Sequence, residues 1–309
     1  MRVWVDKCAY LSRRGRRWLE SSAVNEVKRI LVIRQCAFGD YMAARPFLVE
    51  LRRLFPEAHI TLATIGRYRY AVPEDLVDEV FVQETRGSLA AQWRSLRALE
   101  PVDLLFDLAD TSRSRVLTLM APAAIKLGFP YRGLFNHLLY DVGLRRSNYH
   151  YEAEVLLDFL KVMGHKPRYP LDFAMPVHRP AEASRVIAYF PFASKADKSL
   201  SLDSWSQLID RAAQAFPAYR HVLLEGHRAE ESGDFLAEVA SRHPNVEIQP
   251  RMSLEALGPW MATVSTLVCG DTGVRNLALA PIRRPWGSSS RHCPIATGRA
   301  TSLATRRYS

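Results

Sequence analysis

A chain of 309 residues, 48% of them hydrophobic, is long enough for two ordinary domains. Its formal charge of +10 calls for an anionic partner, and the lack of zinc-finger spacing or an RNP-type aromatic run turns that partner away from nucleic acid and toward a phosphorylated molecule or lipid. Arg115 and Lys126 interrupt the apolar run between them, the first 23 residues lack a secretory core, and Cys8, Cys36, Cys269 and Cys293 have no ligand spacing, so we expect a soluble or peripheral cytoplasmic protein without a metal site.

In chain order, residues 1–26 read as a basic extension in which Arg13, Arg14, Arg16 and Arg17 accompany Trp4, Val5, Tyr10, Leu11, Trp18 and Leu19, a composition suited to a helix lying on a membrane surface. From Arg29 onward, short apolar β-rich runs alternate with amphipathic stretches, the pattern of βαβ units around a parallel sheet. It predicts strands at 30–34, 59–65, 79–83, 102–108 and 125–129. Between the first two, Phe47, Leu48, Leu51, Leu54 and Phe55 recur at helical spacing and predict a helix over 42–55. A first domain is expected over 27–163, closing with a helix over 151–163.

Pro167, Pro170, Pro176 and Pro180 then predict a linker at 164–184, because proline blocks both helix continuation and sheet pairing. A second alternation follows: strands at 186–190, 221–225, 246–249 and 266–269, with helices over 203–216, 229–242 and 254–263 between them. This second domain is expected over 185–280. Residues 281–309 are rich in Arg and Ser, contain no acidic residue and show neither period, so they read as an atypical tail that leaves the second domain incomplete. Two parallel-sheet domains in tandem suggest a ligand cleft at the carboxyl ends of both sheets.

Three loops stand at such strand ends. In the first, Arg34 is followed by Gly39 and Asp40; the glycine permits a close approach, and a carboxylate there can act as a general base or as a helix N-cap, the commoner role for Asp on spacing alone. No G-x-G-x-x-G is present, which removes the main support for a dinucleotide-dependent dehydrogenase. The second loop runs from Pro191 to Lys198, where Lys195, Lys198 and backbone N–H groups could hold a diphosphate or form an ordinary solvated loop. The third is Gly270-Asp271-Thr272-Gly273, either a phosphate or ribose contact or a plain capped turn.

Taken together and in this order, these segments resemble the ADP-heptose:lipopolysaccharide heptosyltransferases of glycosyltransferase family 9. The resemblance rests on Arg34 with Cys36-Ala37-Phe38-Gly39-Asp40 and Pro46, on Asp103 to Asp107 with Arg113 and Lys126-Leu127-Gly128-Phe129, on Pro191 to Lys198, and on Gly270 to Gly273 with Leu277. It implies an α/β protein of the GT-B type with two Rossmann-like domains. It further implies that Asp40 is the catalytic base, that Arg34 and Gly39 belong to the acceptor loop, and that Ser194, Lys198, Glu230, Asp271, Thr272 and Gly273 line the donor site. The implied substrates are a nucleotide-sugar donor such as ADP-heptose and an anionic lipopolysaccharide-type acceptor at the inner-membrane surface, with no cofactor. Phe192 in place of a small residue, Leu200-Ser201 in place of Trp-Pro and Asn276 in place of His depart from the pattern. They leave open a non-catalytic nucleotide-sugar binder of the same fold, whereas a GT-B-like sugar-nucleotide epimerase would need an acid/base set that is not found here.

Overall fold

The computed structural model describes residues 9–21, 26–85, 88, 90, 93–94, 97, 99–130, 138–147, 150–175, 184–193, 199–228, 231–270 and 272–279. The tail at 281–309, residues 194–198, Glu230 and Asp271 therefore lie outside the described residues. The chain divides into two compact units, Met1–Ala174 and Met175–Ser309.

The first unit is built on a seven-stranded sheet in which β1 (Ala9–Leu11) and β7 (Val142–Leu144) form one edge, in the order β1-β7-β6-β5-β2-β3-β4. Its central strands are β2 (Arg29–Ile33), β3 (His59–Ile65), β4 (Glu79–Gln83), β5 (Val102–Asp107) and β6 (Ala123–Gly128), all parallel. Strands β2 and β5 are nearly continuous in buried apolar residues, as expected of parallel strands covered on both faces. On one face, α2 (Phe38–Leu54) and α4 (Glu152–Val162) pack Phe47, Leu51, Leu156 and Phe159 against Ile30, Leu62 and Phe106. The edge-on contacts Phe47–Phe106 and Phe129–Phe159 lie in this layer at 5.3 and 4.9 Å. The other face is covered by α3 (Ser112–Met120) through Leu117, which packs on Leu31, Ile33 and Leu105.

The N-terminal segment departs from expectation. Ala9–Leu11 forms β1, which pairs antiparallel with β7 (Val142–Leu144), and Arg13–Leu19 forms α1, capped by the Ser12 hydroxyl on the Gly15 amide. Tyr10 is buried, and Trp18 and Leu19 pack on the main core, so this part of the 1–26 segment is an edge of the first sheet rather than a separate extension. Those apolar side chains are spent on the core and are not free to enter a lipid surface. Four of its arginines, Arg13, Arg14, Arg16 and Arg17, remain exposed.

Helix α2 also fastens the end of the unit. Arg45 donates to the carbonyls of Phe173, at 2.5 Å, and Ala174, at 3.1 Å, and pairs with Asp75; Arg53 reaches Asp172 at 2.8 Å. The nearly buried carboxylate of Glu50 accepts from His165 Nε2 at 2.6 Å, from the Arg168 amide at 3.3 Å and from Arg53. Burial pushes the Glu50 pKa up, but these donors outweigh it and hold it below the usual carboxylate value. A depressed carboxyl pKa contributes stability that is present at neutral pH and lost as pH falls past the ordinary value, about 4.3. Glu50→Gln is accordingly expected to melt lower than the parent at pH 7, by about 1.5–3 kcal/mol, with the gap narrowing below about pH 4. A gap of equal size at pH 3.5 and pH 7 in thermal melts would show that the charge on Glu50 contributes nothing.

The second unit has a four-stranded parallel sheet ordered β10-β9-β8-β11, made of β8 (Val186–Phe190), β9 (Arg220–Leu224), β10 (Val246–Gln249) and β11 (Thr266–Cys269). Helix α5 (Leu202–Ala215) buries Trp205 and Ile209 against Tyr189 and Val222, and α6 (Asp234–Ser241) adds Leu236 and Val239. Helices α7 (Leu254–Ala262) and α8 (Gly273–Leu279) complete the described elements. Helix α6 begins five residues later than the 229–242 span predicted, because Gly233 takes a φ of 100° just before it, a conformation glycine adopts without a Cβ penalty.

Candidate functional site

In the first unit the candidate residues gather at the carboxyl ends of β2 and β5. Arg34 follows β2 directly and is only 2% exposed. Its Nη1 donates to the carbonyl of Leu108, just beyond β5, and its Nη2 donates to Glu152 Oε1 at 3.1 Å and to the Asp40 carbonyl at 3.4 Å. Glu152 opens α4, and its same oxygen accepts from Arg146 Nη2 at 2.8 Å. Burial alone would lower the Arg34 pKa, but the nearby negative charges, among them the carboxylates of Glu152 and Asp40, raise it above the ordinary guanidinium value, so the group stays charged.

Asp40 is not the helix cap that its spacing suggests. The N-cap of α2 is Ala37, which makes no side-chain cap bond, and Asp40 is the third residue of the helix. Its side chain is 55% exposed, with Oδ1 4.0 Å from Arg34 Nη2, so the carboxylate faces solvent in the first helical turn, where the macrodipole favours a negative charge. Gly39 stands beside it as the second helical residue. Cys36, nearby, has its thiol pushed up to about 12 by burial and stays neutral. The loop is braced from below by Tyr41, whose hydroxyl donates to the Arg34 carbonyl at 2.5 Å and meets Thr64 Oγ1 at 2.6 Å, and by Gln35 bonded to Gln83 at 2.5 Å.

The adjoining end of β5 is organised by the buried Asp107. Its Oδ1 accepts from the amides of Ala109 and Asp110, and its Oδ2 accepts from Tyr140 at 2.7 Å, Ser114 at 3.0 Å and Thr118 at 3.3 Å. This cluster fixes the turn that supplies the Leu108 carbonyl to Arg34.

In the second unit, β9, β8 and β11 are consecutive in the sheet; the two motif loops follow β8 and β11, and the chain that carries Glu230 follows β9. Ser199 ties the loop after β8 at its far end: its hydroxyl donates to the Pro191 carbonyl at 2.8 Å and accepts from Trp205 Nε1 at 2.9 Å. Arg228, from the loop after β9, donates to the Ala193 carbonyl at 3.0 Å. Ala193 and Ser199 thus hold both ends of the segment that carries Ser194 and Lys198, which themselves lie outside the described residues, as does Glu230. The neighbouring Glu231 is engaged by the side chain and amide of Arg228. After β11, Gly273 is the first residue of α8, and Thr272 places a buried Oγ1 that has no hydrogen-bond partner among the described residues.

The structure therefore brings Arg34, Gly39 and Asp40 together in one unit and Thr272 and Gly273 onto the motif edge of the other. It adds Glu152, Arg146 and Leu108, which no local pattern in the sequence marks, and gives Asp107, the end of the Asp103 to Asp107 stretch, the role of buried acceptor. Among the described residues, no group of three His, Cys, Asp or Glu side chains could hold a metal ion, and no helix is long and apolar enough to cross a membrane.

A protein-family model described as glycosyltransferase family 9 (heptosyltransferase) matches residues 89–285. Among solved structures, E. coli heptosyltransferase WaaC with ADP-2-deoxy-2-fluoro heptose is similar at 18% identity and a TM-score of 0.67, covering 90% of this chain and 99% of that one. The same enzyme with ADP gives 20% identity and a TM-score of 0.64, over 90% and 97%. A family 9 glycosyl transferase from Veillonella parvula gives 18% and 0.59, over 82% of this chain and 78% of that one. No curated protein sequence matches. At these identities the structural likeness speaks to the fold, which is α/β of the GT-B type.

Proposed function

Because the chain belongs to glycosyltransferase family 9, the heptosyltransferases, we propose that this glycosyltransferase moves a heptose from ADP-heptose to a lipopolysaccharide-core acceptor by a single inverting displacement, with Asp40 as the base. The observation that carries the catalytic reading is the exposed Asp40 carboxylate, set at the carboxyl edge of the first sheet and backed by a buried arginine. The carboxylate takes the proton of an acceptor hydroxyl, the hydroxyl oxygen bonds to the anomeric carbon, and the bond from that carbon to the diphosphate breaks, its electron pair leaving with ADP. Asp40, now protonated, returns its proton to water. Such general-base assistance contributes typically about 100- to 10,000-fold.

On the donor side, Lys198, Ser194 and the N–H groups around Asp271, Thr272 and Gly273 are proposed to meet the charge growing on the leaving diphosphate, and Glu230 to hold the ribose. The unpartnered Thr272 Oγ1 supports this assignment, since a phosphate or ribose oxygen would give it the partner that a buried hydroxyl requires. No cofactor takes part in this reading, because Lys198 and the backbone donors supply the positive charge.

The test is ADP release from ADP-heptose with deep-rough lipopolysaccharide as acceptor, set beside UDP- and GDP-sugars. Transfer specific to the ADP donor supports the reading. Tight ADP-heptose binding without acceptor-dependent release would instead favour a binding protein.

A lipid-linked acceptor also fits α1. Arg13, Arg14, Arg16 and Arg17 are exposed and make no ion pair among the described residues, although like charges three and four apart on a helix repel. We propose that they face anionic headgroups on the cytoplasmic side of the inner membrane, each contributing about 1 kcal/mol of attraction. Changing all four to Gln is expected to abolish co-sedimentation with phosphatidylglycerol-containing vesicles while leaving binding of ADP-heptose unchanged. Undiminished co-sedimentation would remove α1 from the membrane contact.

A further inference from the structure

Arg34 presents a problem of charge that its surroundings solve in one particular way. A guanidinium that is 2% exposed needs a compensating carboxylate, because a buried charge without one is strongly destabilising. Two carboxylates compete for the same Nη2: Glu152 at 3.1 Å and Asp40 at 4.0 Å. Glu152 sits the closer, and the same Oε1 also accepts from Arg146, whose guanidinium lies 5.6 Å from the centre of the Phe129 ring. The groups facing the Asp40 carboxylate are therefore the cation Arg34, the Glu152–Arg146 pair behind it and the neutral thiol of Cys36.

We propose that Glu152 is a positioning residue for the transfer reaction: by taking the charge of Arg34, it keeps the Asp40 carboxylate off that guanidinium and free to receive the acceptor proton. The proposal rests on Asp40 acting as the base. A carboxylate paired closely with an arginine is stabilised in its charged form, with its pKa lowered by about 1–3 units, and a base stabilised in this way accepts a proton less readily. With Glu152 in place, the Arg34 charge is shared and Asp40 remains at 4.0 Å, more than half exposed. Without that negative charge, Asp40 is the one remaining carboxylate within 4.0 Å of Arg34 among the described residues, and its side chain is free to rotate inward.

Glu152→Gln keeps the size of the side chain and an oxygen for both arginines while deleting the charge. Measured with ADP-heptose and deep-rough lipopolysaccharide, the acid limb of its kcat/KM profile is expected to move down by roughly half to one pH unit, with kcat lowered about tenfold and the donor KM unchanged. Glu152→Asp retains the charge and is expected to keep the acid limb of the parent, whatever its kcat. Arg146→Gln releases Glu152 wholly to Arg34 and should move the limb up, a change of opposite sign that a loss of folding could not imitate.

An unmoved limb in Glu152→Gln, or an equal shift in Glu152→Asp, would overturn the proposal and reduce Glu152 to a structural ion pair. Asp40→Asn, assayed in parallel, separates the two layers of the reading. If it transfers heptose like the parent, the base assignment and this proposal fall together; if it is inactive while the Glu152→Gln limb stays in place, only the proposal falls.

Discussion

Replacing Asp40 by Asn is expected to leave folding and donor binding intact and to lower heptose transfer by roughly 100-fold or more, the ordinary loss when a general base is removed. The geometry makes this a clean substitution. Asp40 caps nothing, so no helix-end bond is lost; it is over half exposed, so no packing is lost; and the amide is isosteric with the carboxylate. A surface change of this kind ordinarily stays within about 0.5 kcal/mol in stability. The loss should therefore appear in kcat, with the ADP-heptose dissociation constant and the melting temperature both unchanged. Parental turnover in the Asn variant would remove Asp40 from the chemistry and leave the family's reaction without a base at this position. A variant that lost both binding and stability would mean that Asp40 serves the fold, against the exposure seen here.

The parts of this molecule that the sequence made legible are those whose signal is local. Strands such as His59–Ile65, Glu79–Gln83, Val186–Phe190 and Val246–Gln249 are short apolar runs bounded by turns, and their observed ends match those read from the sequence. The central strands are buried on both faces, so apolarity alone marks them. What escaped depends on partners distant in the chain. Strands β1 and β7 have three residues each and exist because Ala9 faces Leu144 across 135 positions. Helix α3 was hidden because Val116 to Ile125 reads as one apolar run, whereas the chain turns at Ala121 and Pro122 and passes from helix into β6.

The candidate site divides along the same line. Gly39 and Asp40 announce themselves as a glycine and a carboxylate after a strand. Glu152 stands 118 residues from Arg34 and has no signal beyond being an acid at a helix start. The physical clue was Arg34 itself: a cation at the end of a buried strand must find a counter-charge somewhere. A capping role for Asp40 stays open in the sequence for a similar reason, since spacing cannot tell the N-cap from the third helical residue, and three residues of phase decide whether a carboxylate binds backbone or meets solvent.

Asp107→Ala is expected to be the most destabilising single change near the site, at about 3–5 kcal/mol, because it removes the common acceptor of a buried polar cluster. The carboxylate gathers five donors: two backbone amides that shape the turn after β5, the hydroxyls of Ser114 and Thr118 from α3, and the hydroxyl of Tyr140. Burial pushes its pKa up while these donors pull it down. Truncation leaves the two amides and the Tyr140 hydroxyl without their acceptor in a dry interior, whereas Ser114 and Thr118 can turn toward other groups. Tyr140→Phe removes only one of the five contacts and should cost about 1 kcal/mol. At about 2–4 °C per kcal/mol for a unit of this size, Asp107→Ala should melt roughly 6–20 °C below the parent and Tyr140→Phe only a few degrees below it. The effect should also reach the chemistry, because the turn that Asp107 shapes presents the Leu108 carbonyl to Arg34, and Arg34 stands behind Asp40. Heptose transfer is thus expected to fall in Asp107→Ala even at a temperature where circular dichroism shows the variant folded. If the folded variant transferred at the parental rate, the turn after β5 would support stability alone and the chain of contacts from Asp107 through Leu108 and Arg34 to Asp40 would carry no catalytic weight.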